Sequence, residues 1–428
     1  MQKVKVGLLG LGTVGGGVYR LLKANGEDIA HKAGTVIEVK KILVRDPSRH
    51  REVPPELLTT DYREIVEDDE IRVIVEVMGG IEPARSYILE AFHRGKSVVT
   101  ANKDLLAEYG KELFDAEEEH KADFFFEASV AGGIPIIGAL KESLAANRIL
   151  DVMGIVNGTT NYILTRMEAE GASFEEVLAD AQRLGYAEAD PAADVDGLDA
   201  ARKVAILASI AFNTRVTFKD VYAEGIRSIG QADIAYAREL GYTIKLLGIA
   251  REDGGQIEAR VHPALVAADH PLASVQDVFN AIFVRGDAVG ETMFYGRGAG
   301  AGPTASAVAG DIIEVARDVN KGITGRLGCT CYEHLRVKPI SQIETRYYLR
   351  LAVKDQPGVL AGIAGVFGNH GVSLANVIQK RTAAAEAELV LVTHKVKEEN
   401  LRDALAIIAE LSTVSGIANV IRVEGSEK

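Results

Sequence analysis

Between Glu188 and Lys203 the stretch EADPAADVDGLDAARK sets five carboxylates, Glu188, Asp190, Asp194, Asp196 and Asp199, ahead of one ammonium group. Residues of these types could hold a cation or bring an acid and a base together. A calcium loop wants acidic side chains at positions 1, 3 and 5, glycine at 6 and a bidentate glutamate at 12. With Gly197 at position 6, Ala192 falls at position 1 and Lys203 at position 12, so both ends of that pattern are missing. Two readings remain. In one, the acids form a solvated loop that leads into a helix, a common use of Asp-rich turns. In the other, the stretch takes part in a functional site, with Asp199 one helical turn before Lys203 on the same face. An ordinary surface pair at that spacing would look the same.

A second chemical signal lies near the start. GLGTVG places Gly10, Gly12 and Gly15 after an apolar strand and at the opening of a helix, with Thr13 and Val14 between them. In that context the first glycine permits a tight turn, the second lets the backbone approach a pyrophosphate, and the third lets helix and sheet pack closely. The helix N-terminus attracts the phosphates. Where the second strand ends, KKILVRDPSR offers Arg45 and then Asp46. An arginine there accommodates a ribose 2′-phosphate and an acid takes the 2′-hydroxyl, so NADP(H) is expected, with NAD(H) the alternative through Asp46.

The elements that position these residues read as three parts. Strands at about 3–9, 36–44, 73–78, 97–100 and 123–127, with helical patterns at 82–94 and 104–120, imply a doubly wound parallel sheet over residues 1–134. Residues 135–320 read as an α+β substrate-binding and dimerisation domain. It has a strand at 151–156, helices near 160–170, 173–184 and 197–212, and β-rich segments at 242–250, 256–262 and 278–294. The helix at 303–320 is expected to pack back onto the first domain. A linker at 321–345 leads to residues 346–428, whose βαββαβ order is the ferredoxin-like split unit.

Composition narrows the classes of partner. The chain has 428 residues, 47% hydrophobic and 25% charged, with a net charge of −13. No basic arm or stripe serves nucleic acid or an anionic membrane, and no apolar run is long enough to span one. Cys329 and Cys331 are too few for a disulfide framework, and with His334 they remain one ligand short of a structural zinc set. With no signal-peptide pattern at the start, a cytoplasmic setting is expected.

Several long stretches together resemble the homoserine dehydrogenases: GLGTVGGGV, VVTANKDLLA, FEASVAGGIPII, GIVNGTTNYILTRM and GYAEADPAADVDGLDAARKVAILA, in order along nearly the whole chain. The resemblance implies NAD(P)-dependent interconversion of L-aspartate 4-semialdehyde and L-homoserine, in threonine and methionine biosynthesis. It assigns Lys203 to proton transfer and places Lys103, in TANKD, beside nicotinamide and substrate. Two converging ammonium groups would each lower the other's proton affinity. The resemblance also makes Glu188 and Asp199 partners of the substrate ammonium. Asp190, Asp194 and Asp196 are expected only to shape the loop and cap the helix. Asn157 and Thr159, in NGTTN, suit a substrate carboxylate at a helix N-terminus or plain capping. For Glu127 and the carbonyls of Val130, Gly132 and Ile134 the resemblance implies a site for Na⁺ or another monovalent cation.

The C-terminal part resembles an ACT domain, carried by VKDQPGVLAGIAGVFGNHGVSLANVIQ. That implies an amino-acid effector such as threonine, with Asp355, Gly358, Asn376 and Gln379 as candidate contacts, and a homodimer or homotetramer. A rival of another class is a non-catalytic sensor built from the same Rossmann-like and ACT domains. Lys103 and Lys203 in intact motifs count against it.

Overall fold

A computed structural model describes residues 3–49, 52–383 and 386–425. The chain forms two compact units, one of Met1–Val152, Arg202–Asp220 and Asn280–Leu335, the other of Met153–Ala201, Val221–Phe279 and Arg336–Lys428.

The first unit is built on a parallel sheet of β1 (Lys3–Leu9), β2 (Val36–Leu43), β3 (Leu58–Thr59), β4 (Ile71–Glu76), β5 (Ser97–Thr100) and β6 (Phe124–Phe125). The order is β3-β2-β1-β4-β5-β6, so the chain reverses direction on either side of β1. Such a reversal opens a crevice at the carboxyl ends of the strands. Alternation in β1 sends Val4, Val6 and Leu8 into a core shared with Val18 and Leu22 of the helix Thr13–Ala24. Val308, Ile312 and Val315 of the helix Ala301–Lys321 join the same core. Its Pro303 lies in the first turn, where the missing N–H costs no helical bond. The strand expected at 123–127 is shorter, because the chain turns into a 3-10 segment at Glu127–Ser129.

The second unit holds β7 (Tyr242–Asp253), β8 (Gln256–Ala267), β9 (Glu344–Lys354), β10 (Leu374–Ala383), β11 (Glu386–Thr393) and β12 (Val414–Glu424), in the order β7-β8-β12-β9-β11-β10. The last four, with helices Val359–Asn369 and Glu398–Ala409, make the ferredoxin-like arrangement. Its strand β12 joins β8 in parallel, pairing Arg422, Val423 and Glu424 with Ala264, Leu265 and Val266. β8 runs through Pro263, past the expected end at 262. On the edge away from β7, β8 pairs at Arg260–Val261 and again at Ala264–Val266, which leaves Pro263 where no ladder hydrogen bond needs its nitrogen.

Buried charge adds to this joint. Arg260, fully buried, lies 3.0 Å from Glu424 and 3.2 Å from Glu258. Asp233, on the helix Gln231–Glu239, is equally buried and accepts from Arg350 Nε at 2.7 Å and Asn419 Nδ2 at 2.8 Å.

Candidate functional site

In the first unit the glycine turn is built as its spacing requires. Gly10 has φ +101°, a conformation that side chains other than glycine's resist. Its N–H donates to Leu43 O at 3.0 Å, which ties the turn to β2. A Cβ on Gly15 would lie 2.1 Å from Gly10 O, so helix and turn touch there. A Cβ on Gly12 would meet nothing within 4 Å, so the space above the turn is open. Gly12 caps the helix without a side chain, leaving the first-turn N–H groups at Thr13, Val14 and Gly15 directed outward. These residues fit a pyrophosphate.

Arg45 is exposed just beyond β2. Asp46 next to it accepts from Ser48 N at 3.0 Å and Ser48 Oγ at 2.7 Å, an Asx turn that opens the short helical turn Pro47–Arg49.

Lys103 is held by a network that the sequence motifs did not reveal. At the end of β4 the buried Glu76 accepts from Met78 N at 2.8 Å, Gly79 N at 3.1 Å and Thr100 Oγ1 at 2.7 Å. Thr100 Oγ1 in turn accepts from Asn102 N at 3.0 Å. Asn102 donates to Gly80 O at 2.7 Å, and its Oδ1 accepts from Leu105 N at 3.2 Å. Asn102 thus caps the helix Lys103–His120 and fixes its first residue, Lys103, half-buried at the carboxyl edge of β5. The glycine turn follows β1 along that same edge, with β4 between them. Lys203 lies on the helix Leu198–Ala211. Arg202 Nε beside it is 2.9 Å from Asp104 Oδ1, beside Lys103. One ion pair therefore joins the two lysine-bearing helices.

Glu127 Oε1 accepts from Ile137 N at 2.8 Å and Oε2 from Gly138 N at 2.7 Å, and burial raises its pKa against these donors. Ala131 and Gly132 both have positive φ, and Ile134 O accepts from Ile136 N at 2.9 Å. Val130 is buried in the same loop. Among the described residues no three His, Cys, Asp or Glu side chains gather as a metal site.

In the second unit the acidic stretch divides by partner. Asp190 Oδ1 accepts from Ala192 N at 3.1 Å, and Asp196 pairs with Arg227. Asn157 caps the helix Gly158–Glu170, its Oδ1 accepting from Thr160 N at 2.9 Å. Its amide donates to Asp194 Oδ1 at 2.7 Å and Asp199 Oδ2 at 2.9 Å. Asn157 thus gathers carboxylates. Thr159 Oγ1 donates to Tyr186 O at 2.7 Å, and Gln182 Nε2 to Glu188 O at 3.1 Å, which fixes the backbone under an exposed Glu188 side chain.

Gly358, with φ +89°, caps the helix Val359–Asn369, and Asp355 is half-buried just before it. From Asn376 to Gln379 β10 keeps a regular register against Val392 to Leu389, so these two side chains point to opposite faces. Asn376 lines a cavity of about 580 Å³ with Tyr242, Asp269, Arg346 and His394.

Comparison with known proteins places this geometry. The model "Homoserine dehydrogenase, NAD binding domain" matches residues 10–127, "Homoserine dehydrogenase" matches 135–313, and "ACT domain" matches 347–413. A homoserine dehydrogenase of Synechocystis sp. is 52% identical, over 98% of this chain and 99% of its own. The crystal structure of a homoserine dehydrogenase from Thiobacillus denitrificans has a TM-score of 0.95 at 45% identity, covering 99% of each chain. A hyperthermophilic archaeal homoserine dehydrogenase in complex with NADPH has a TM-score of 0.63 at 30% identity, covering 73% of this chain and 98% of its own. Likeness along the whole chain favours the enzyme over the sensor, and no helix among the described residues is long and apolar enough to cross a membrane. The chain belongs to the homoserine dehydrogenase family and is an NAD(P)-dependent oxidoreductase with a C-terminal ACT domain.

Proposed function

We propose that the protein interconverts L-aspartate 4-semialdehyde and L-homoserine with NADP(H), Lys203 moving the proton and Lys103 sharing in the charge at the reacting oxygen. The observation that carries this reading is the common carboxyl edge of the glycine turn and the Lys103 loop, with Asp104 and Arg202 linking the two lysine helices. When bound, the nicotinamide cofactor supplies or accepts the hydride. The chain's own residues do the rest. Gly10, Gly12, Thr13, Val14 and Gly15 hold the pyrophosphate at a helix N-terminus. Lys203 gives a proton to the oxygen in reduction and takes it back in oxidation. Glu188 and Asp199 meet the substrate ammonium, Asn157 keeps Asp199 oriented, and Thr159 steadies the backbone that leads to Glu188.

Preference for NADP(H) is supported by Asp46, whose carboxylate already serves Ser48 and leaves the anion at this edge to Arg45. A monovalent cation beside Glu127, Val130, Gly132 and Ile134 would rest on one carboxylate and three main-chain carbonyls. An amino-acid effector such as threonine is proposed for the ACT domain, through Asp355, Gly358 and Asn376, with Gln379 on the other face of β10. Homo-oligomers through that domain are supported by β10 being an edge strand, with Val377 exposed. A spectrophotometric assay with homoserine and each oxidised cofactor tests the reading. Turnover with NADP⁺ well above NAD⁺ is expected, and no turnover with either would refute it.

A further inference from the structure

Behind the two lysine-bearing helices of the first unit lies a pair of thiols that the proposed chemistry does not use. Cys329 is exposed. Its Sγ accepts from Arg215 Nη2 at 3.2 Å and is approached by Cys331 N at 3.5 Å. Cys331 Sγ lies 3.9 Å from Ser209 O. The recess they share is walled by Leu106, Phe114, Phe126, Ile206 and Ile210, and Lys141 also lines it. Arg215 is stacked over Phe114, its guanidinium carbon 5.2 Å from the ring centre, which fixes the cation toward the sulfur. Lys141 Nζ is anchored to Leu327 O at 2.8 Å.

We propose that Cys329 and Cys331 form an oxidant-sensitive modification site, in which Cys329 is the attacking thiolate and Cys331 the resolving thiol.

Four groups surround the sulfurs. Arg215 and Lys141 are cations, Glu117 is a carboxylate coupled electrostatically to Cys329, and Ser209 contributes a carbonyl. The neighbouring Cys331 side chain, the Cys331 N–H and the Arg215 guanidinium bring the Cys329 pKa down to about 5. The proximity of Cys329 and burial push Cys331 up, so it keeps the proton. Burial raises Glu117 to about 7, which limits its opposition to the thiolate. A thiolate held beside a guanidinium and open to solvent is the reactive kind.

With a peroxide, Cys329 sulfur attacks the O–O bond. An S–O bond forms, the O–O bond breaks, and the departing oxygen leaves as water after protonation. Cys331 then loses its proton and attacks the sulfenic sulfur. The S–S bond forms, the S–O bond breaks and a second water leaves. The peroxide is reduced by two electrons and the two thiols are oxidised by two. Leu106 belongs to the helix that starts at Lys103, and Ile206 and Ser209 to the helix that carries Lys203. Closing the disulfide should therefore reshape the support of both lysines. That effect on turnover rests on their proposed roles, whereas the thiol chemistry does not.

The test uses the full-length protein and hydrogen peroxide, read by intact mass and by alkylation with iodoacetamide. Loss of two hydrogens per chain is expected, restored by dithiothreitol. Cys331→Ser should instead give a sulfenic acid at Cys329 that dimedone traps, and Cys329→Ser should give neither product. At neutral pH Cys329 should alkylate at least tenfold faster than Cys331, and Arg215→Met should remove most of that advantage while Arg215→Lys keeps part of it. Equal alkylation of the two thiols, or a disulfide joining two chains, would overturn the assignment. Formation of the intrachain disulfide with turnover unchanged would overturn its coupling to the lysines.

Discussion

The glycine turn and the acidic stretch both stand out in the sequence, yet their residues are used in opposite ways. In the turn each conspicuous residue acts through its own backbone. Gly10 takes φ +101°, Gly12 leaves open space, and Gly15 lies against Gly10. In the acidic stretch the conspicuous side chains mostly turn to neighbours, Asp190 to a backbone amide, Asp194 to Asn157 and Asp196 to Arg227. A motif that works through backbone geometry carries its meaning with it. A motif that works through side chains depends on what the fold brings alongside.

The largest test of that contrast is Lys203→Ala. It should reduce kcat by ~10²–10⁴-fold and leave cofactor affinity nearly unchanged, since a proton-transfer group serves the chemistry and not the docking of phosphates. Steady-state kinetics with a cofactor titration reads both, and retention of half the wild-type turnover would remove Lys203 from the reaction.

Next, Asp199→Asn and Glu188→Gln should each weaken homoserine use by roughly 2–4 kcal/mol in kcat/KM, the cost of depriving a buried ammonium of a charged partner. Asp199 also accepts from Asn157. Its variant should therefore shift thermal stability, whereas the exposed Glu188 variant should not. An unchanged kcat/KM for either would show that its carboxylate is a loop residue like its three neighbours.

Arg45→Ala should cost NADP(H) about 10- to 150-fold in affinity, from a charge-assisted contact of ~1.5–3 kcal/mol, and leave NAD(H) nearly untouched. Equal losses in paired titrations would make Arg45 a support for its loop.

The smallest effect separates two glycines. Gly15→Ala drives a Cβ to 2.1 Å from Gly10 O and should destabilise the fold by about 1–3 kcal/mol. Gly12→Ala has room in the protein and should keep the wild-type melting temperature while losing cofactor affinity. A matching drop in Tm for both would mean that the space above Gly12 is not a ligand's.

The same distinction sorts what could be read from the sequence. Alternation or short apolar runs mark β1, β2, β4 and β5, and the heptad-like spacing of Val308, Ile312 and Val315 marks the helix Ala301–Lys321 as core. Helices Gly26–Ala33 and Gln231–Glu239 escape because polar and charged residues blur their pattern, and Asp233 is buried for partners far along the chain. β8 continues through Pro263 because its edge pairing skips that residue. In the site, the glycines and Lys103 are legible in their motifs. Glu76 is not, since its value comes from Thr100 and the amides of Met78 and Gly79, brought together only when β4 and β5 pair.

The joint between β8 and β12 limits how the chain can be shortened. A chain ending before β9 would strip β8 of the partner strand at Ala264–Val266 and leave Arg260 with Glu258 but without Glu424. Asp233 would lose Arg350 and Asn419 together. A buried charge deprived of its partners costs several kcal/mol. The ACT segment is thus not an appendage that a gene can drop by acquiring a stop codon. Losing it in descent would require compensating changes at Asp233 and Arg260, residues that belong to the rest of the enzyme.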